Sequence, residues 1–188
     1  LILSECKTQK WPVTIFRPHG VFGSYDYGQP TYQAWLVFYR LAHSIPIPVI
    51  NEKKLPFNLL YVDDLVNGFV EAMNNENSHG NIYGIAGDDT TSELDFIRLC
   101  GEICSHDPEI HFVNDLGYDG IKWIHPWAEC GLVTDTTKVK NDLALNFTSL
   151  KTALSKTYSW FTLYPNHFGR PSFRGKCYIL TRRPIPKY

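Results

Sequence analysis

Short runs of β-branched and aromatic residues alternate along this chain with segments whose apolar residues recur at helical spacing, and that alternation restricts it to an α/β fold. Val13-Thr14-Ile15-Phe16 has the pattern of a buried strand, ended by Arg17-Pro18-His19-Gly20. Before it, residues 1 to 10 fit the tail of a helix stopped at Trp11-Pro12, because the residue ahead of a proline is pushed out of the helical region. Ser24 to Thr31 reads as a loop, and Tyr32 to His43 as an apolar helix carrying Trp35, Leu36, Phe38, Tyr39 and Leu41. Ile47-Pro48-Val49-Ile50 is extended, its prolines favouring an edge position.

The pattern repeats downstream. Asn58 to Val62 leads into a segment where Leu65, Val66, Phe69, Val70 and Met73 fall at helical spacing, with Asp63 as N-cap and Asp64 as a favourable charge at the positive end of the dipole. Asn81 to Ala86 is another strand. Thr90-Thr91-Ser92-Glu93 then caps a helix striped by Leu94, Ile97, Cys100 and Cys104. Glu109 to Val113 is a strand, 114 to 131 an aromatic-rich loop and 135 to 143 a short polar helix. A last helix runs from Ser149 with Leu150, Ala153, Leu154, Thr157 and Phe161 on one face. From Pro165 the texture changes to a tail with four prolines that holds Arg170, Arg174, Lys176, Arg182, Arg183 and Lys187 and no acidic residue.

Composition enters by what it excludes. Eighteen Lys+Arg against nineteen Asp+Glu give a formal charge of −1, so no overall field steers the chain toward nucleic acid or an anionic membrane. No run approaches the roughly 20 apolar residues of a membrane span, and no signal peptide is visible. Five cysteines without paired C-x-x-C spacing argue against a zinc site and for a reduced, cytoplasmic protein. The sequence opens without Met and has Met73 as its only methionine, so it reads as a part of something longer.

Three segments carry a resemblance. Val13 to Gly23 is similar to the strand and loop ending in Arg-Pro-x-x-Val-Tyr-Gly of the extended short-chain dehydrogenase/reductases, the NAD-dependent epimerases and dehydratases. Leu60-Tyr61-Val62-Asp63-Asp64-Leu65-Val66 resembles that family's Val-Asp-Asp helix start, and Asp135 to Leu143 with the helix at 149 to 161 resembles its last elements. The match covers residues 1 to 162, in the family's order.

The resemblance implies a fold: the C-terminal portion of a Rossmann-like parallel sheet plus the small α/β substrate-binding domain. Residues 1–23 would be the end of the Rossmann-like core, 24–162 the substrate-binding region with the final core elements, and 163–188 a basic tail. It also implies NAD or NADP as cofactor and a small, sugar-related substrate, and it is compatible with a homodimer. In this family a Gly-rich turn holds the cofactor pyrophosphate at a helix N-terminus, and a Tyr-x-x-x-Lys helix supplies the acid/base tyrosine. Neither stands ahead of the Arg-Pro strand here, so the catalytic residues are expected upstream of Leu1.

By the same resemblance Pro18, His19, Gly20 and Val21 face the cofactor, while Phe22, Phe57, Tyr61 and Trp127 face the substrate. His125 and Lys122, beside Trp127, are either substrate contacts or packing. Catalysis by His19 ranks behind a hydrogen-bonded loop histidine, and Asp63 and Asp64 read as helix-start residues rather than an acid/base pair. Phe57 stands where nucleotide-sugar enzymes usually have the Arg that reaches the diphosphate, and Gly20 replaces their loop Asn, which points to a less charged substrate. The rival reading is a non-catalytic, epimerase-like binding protein whose pocket or basic tail engages RNA or a protein partner, nucleic acid being the less favoured.

Overall fold

The computed structural model describes residue 4 and residues 11–25, 34–50, 55–113 and 131–164. In chain order the elements are β1 (Ile15–Pro18), β2 (Val21–Phe22), α1 (Ala34–Ala42), β3 (Ile47–Ile50), β4 (Phe57–Asn58), β5 (Leu60–Tyr61), α2 (Val62–Met73), β6 (Ile82–Ile85), β7 (Thr90–Thr91), α3 (Glu93–Cys104), β8 (Ile110–Val113), α4 (Thr137–Leu143) and α5 (Leu150–Leu163). Three strand pairs are parallel, β1 with β6, β2 with β5 and β3 with β8, and β4 pairs antiparallel with β7. The α/β reading holds.

Two apolar clusters organise the chain. In one, α1, α3 and α5 pack on each other, burying Val37, Phe38, Ile97, Cys100, Leu154 and Phe161. In the other, α2 and α4 lie against β6, with Leu60, Tyr83, Ile85, Val139 and Leu143 inside. The β2–β5 ladder stands between them. Successive strand residues point to opposite faces, so Phe22 and Tyr61 enter the first cluster while Val21 and Leu60 enter the second.

Local chemistry explains most boundaries. Ser92 caps α3: its Oγ accepts from Asp95 N–H (3.2 Å) and donates to the Asp95 carboxylate (2.6 Å), so the acidic partner of the cap is Asp95 and Thr90–Thr91 form β7. Ser92→Ala is expected to cost about 1 kcal/mol, read as a lowered midpoint in thermal or urea unfolding. Ser149 caps α5 in the same way, through Thr152 N–H. Cys100 and Cys104 are free and buried among the α3 contacts, and burial pushes both thiols up. Both stay protonated at neutral pH and serve as small apolar side chains.

Three expectations shift. The first strand starts at Ile15 and runs through Pro18 rather than ending at Phe16. Pro18, as the last strand residue, owes the ladder no donor, and His19 N–H donates to Ile85 O (3.1 Å) just beyond it. Next, α2 begins at Val62 with Tyr61 in the N-cap position and without a side-chain cap, so Asp63 lies within the first turn. Finally, the buried face of α2 is Asp64, Gly68 and Ala72, while the apolar residues Val66, Phe69, Val70 and Met73 are exposed. Gly68 is the reason α2 sits so close to the sheet: a Cβ there would stand 3.0 Å from Ile85 Cδ1.

Candidate functional site

At the carboxyl end of β1 the chain changes partner. Its backbone pairs with β6 up to Pro18 and with β5 from Val21, and Gly20 makes the bend with φ +47°, in the left-handed region where glycine carries no Cβ penalty. Both sides of the bend are pinned: His19 N–H donates to Ile85 O (3.1 Å) and Gly20 O accepts from Leu60 N–H (3.1 Å). His19 and Gly20 are buried, Val21 is half-buried, and Pro18 is exposed at the strand's end.

Beneath this bend lies Asn58, 2% exposed. Its Nδ2 donates to Gly87 O and Thr134 O, both at 3.1 Å, and its Oδ1 accepts from Thr134 N–H at 3.0 Å. Those three bonds fix which end of the amide is oxygen. That oxygen lies 3.3 Å from His19 Nδ1, so Nδ1 carries the proton in this contact. One side chain thus joins β4, the β1–β2 bend, the residue after Ala86 and the segment leading into α4.

Of the residues expected to meet substrate, Phe22 and Tyr61 are each 4% exposed and pack ring to ring at 5.9 Å, and Phe57 is fully buried near Phe96. Trp127, with His125 and Lys122, lies outside the described residues, as does the basic tail. The Tyr61 hydroxyl is pushed up to about 12, first by burial and then by its bond to the Asp63 carboxylate and the negative charge of Asp63 and Asp64. Tyr83, buried beside Asp142, is likewise pushed up to about 12. The fold therefore favours both protonated phenols. Their contribution to stability is complete below pH 10 and is lost as pH rises from 10 to about 12. Absorbance at 295 nm should show two phenols still protonated where ordinary tyrosines have ionised, released together with alkaline unfolding.

Asn58 and Thr134 were not marked in the sequence. Asn is a residue strands disfavour, and standing between Phe57 and Leu59 in an apolar run it signals a polar group with work for its hydrogen bonds. Thr134 gave no signal, because it acts through its backbone. Asp64 stands in the first turn of α2 as expected and does more there: it is 4% exposed, and it accepts from Thr148 N–H (2.9 Å) and Thr148 Oγ1–H (2.8 Å), tying α2 to the start of α5. One Tyr-x-x-x-Lys spacing does occur in the chain, Tyr118 to Lys122, but it comes after β8 in the sequence, contains Gly120, and lies outside the described residues.

No protein-family profile and no curated protein matches the sequence. Solved structures do. UDP-glucuronic acid 4-epimerase from Bacillus cereus, in complex with NAD, superposes with a TM-score of 0.67 at 21% identity over 86% of this chain and 48% of that one. The dTDP-glucose 4,6-dehydratase from Bacillus anthracis, also with NAD, gives 0.69 at 18% over 87% and 49%. The fold is that of the NAD-dependent epimerases and dehydratases. RMD from Pseudomonas aeruginosa, complexed with NADPH, agrees at 0.65 and 15% over 86% and 51%. The chain spans about half the length of each of these three structures. Among its described residues no helix is long and apolar enough to cross a membrane, and no cluster of His, Cys, Asp or Glu is arranged to hold a metal ion.

Proposed function

We propose that this chain is the substrate-side part of an NAD(P)-dependent, epimerase/dehydratase-like oxidoreductase acting on a sugar-related alcohol. The observation that carries the reading is the pinned bend Pro18–Val21 at the carboxyl ends of two parallel strands, the place where open α/β sheets take their ligands. The residues there fit one part of the cofactor. Pro18 offers an apolar face at the strand's end, the backbone of His19 and Gly20 is held in place by Ile85 and Leu60, and the His19 ring is held by Asn58, which suits a wall against a flat ring. Among the described residues no glycine-rich turn stands between a strand and a helix start, where a phosphate cradle would be.

When bound, the nicotinamide would supply a hydride acceptor. The chain's own residues orient and exclude: Pro18, His19, Gly20 and Val21 position the ring, and Phe22 and Tyr61 form a dry, rigid backing behind them. Tyr61, protonated to about pH 12, serves there as a hydroxyl and not as a base. Phe57, fully buried, brings no cation to a diphosphate, which favours a substrate less charged than a nucleotide sugar.

Calorimetry with NAD(H) and NADP(H) tests this, comparing the 188-residue chain with the longest natural polypeptide that contains it. Binding by the longer polypeptide alone is the expected result. If neither binds, the oxidoreductase reading fails.

A further inference from the structure

The outward face of α5, together with Ser24 just beyond β2, lines an open cleft of about 730 Å³. Thr152, Ser155, Lys156 and Ser159 recur at i, i+3, i+4 and i+7 and so share that face, while Ala153, Leu154, Thr157 and Phe161 are buried on the other side of the helix. Trp160 gives the cleft an apolar rim. Tyr25, next to Ser24, packs its ring on Trp160 with centroids 4.8 Å apart and holds φ at +65°, a left-handed conformation that strains a tyrosine backbone.

The polar groups on this face divide by what they have left to offer. Ser155 Oγ–H donates to Lys151 O (2.8 Å) and Ser159 Oγ–H to Ser155 O (2.9 Å), so each oxygen keeps only its acceptor capacity. A ligand lying along them has to bring hydroxyl donors. Lys156 asks for the opposite. Its ammonium stands over the Tyr61 ring, 5.5 Å from the centroid, and belongs to no ion pair among the described residues, whereas Lys151 is paired with Glu102 at 2.5 Å. A cation without a carboxylate beside a row of accepting hydroxyl oxygens suits a molecule that carries both an anion and several hydroxyls. The volume is that of a small-molecule site, which runs to roughly 300–1,000 Å³.

We infer that the cleft along α5 binds a small anionic sugar, a sugar phosphate or a sugar acid, with its anion on Lys156 and its hydroxyls donating to Ser155 and Ser159. This goes beyond the function proposed above: the site is built from α5 and Ser24, it uses none of the residues of the Pro18–Val21 bend, and no nicotinamide takes part in it.

Titration calorimetry on the longest natural polypeptide containing this chain, with no NAD(P)(H) added, tests it. The probes are glucose 6-phosphate for the phosphate source of the anion and glucuronate for the carboxylate source, with glucose and inorganic phosphate as half-ligands. One of the two sugar anions should bind on the order of tenfold or more tightly than either half-ligand. Lys156→Met, which keeps the apolar stem and removes the ammonium, should weaken that binding by on the order of tenfold, Ser155→Ala combined with Ser159→Ala should weaken it further, and Arg98→Gln outside the cleft should leave it unchanged. Amide NMR of the unaltered polypeptide gives a readout that needs no variant: the shifts caused by the bound sugar anion should centre on Ser24 and residues 151–163. Failure of both sugar anions to bind overturns the inference. So do phosphate binding as tight as the sugar phosphate, an unchanged affinity in Lys156→Met, and shifts centred elsewhere.

Discussion

Asn58→Leu is expected to lower the unfolding free energy by about 3 kcal/mol or more, because one substitution strands Gly87 O, Thr134 O, Thr134 N–H and the His19 ring in a site that is 2% exposed. Leucine has the same branching and leaves no cavity, so the loss reads the polar network together with the fit of two methyl groups where the amide stood. Asn58→Asp gives an independent check. It places a carboxylate oxygen against the carbonyls of Gly87 and Thr134, which disfavours the charged form in the fold and raises the carboxyl pKa. With a raised folded pKa, stability is retained at low pH and lost as pH rises through it, the reverse of an ordinary paired aspartate. Urea unfolding of both variants across acidic to neutral pH is the measurement. An Asn58→Leu protein as stable as the parent would mean that the bend over Asn58 is held by its backbone bonds alone.

The second large effect is at Asp64. Asp64→Ala removes a buried carboxylate that takes both the amide and the hydroxyl of Thr148, and a loss of about 2–3 kcal/mol is expected. Thr148→Val, which removes only the hydroxyl bond, should cost about 1 kcal/mol, and the double variant should cost less than the sum of the two. An additive result would show that Asp64 acts through its position at the start of α2 and not through Thr148.

The legible part of this chain was the part written in periodicity. The strands β1, β3, β6 and β8 and the helices α3 and α5 follow from short β-branched runs and from stripes such as Ile97, Cys100 and Cys104 or Ala153, Leu154, Thr157 and Phe161. Periodicity reports that a face is apolar, however, and not what lies against it. Hence α2 was recognisable as a helix while its buried side was not: the bulky stripe is bare, and Gly68 and Ala72, which carry little hydrophobic signal, make the contact. The Pro18–Val21 bend was found through its Arg-Pro and glycine pattern. Asn58 and Asp64 were not assigned their roles, because each acts on residues far along the chain, Thr134 and Thr148, and no local pattern encodes a partner at that distance.

The strand pairing also has a consequence in time. Among the described residues β1 finds its partner at Ile82 and β3 at Ile110, with helices intervening in each case. During synthesis the apolar run around Ile15 and Phe16 therefore leaves the ribosome well before β6, its partner among the described residues. Closing such long loops must precede the contacts that reward it, which makes this a slow-folding topology whose newly made strands are open to aggregation and to chaperone capture.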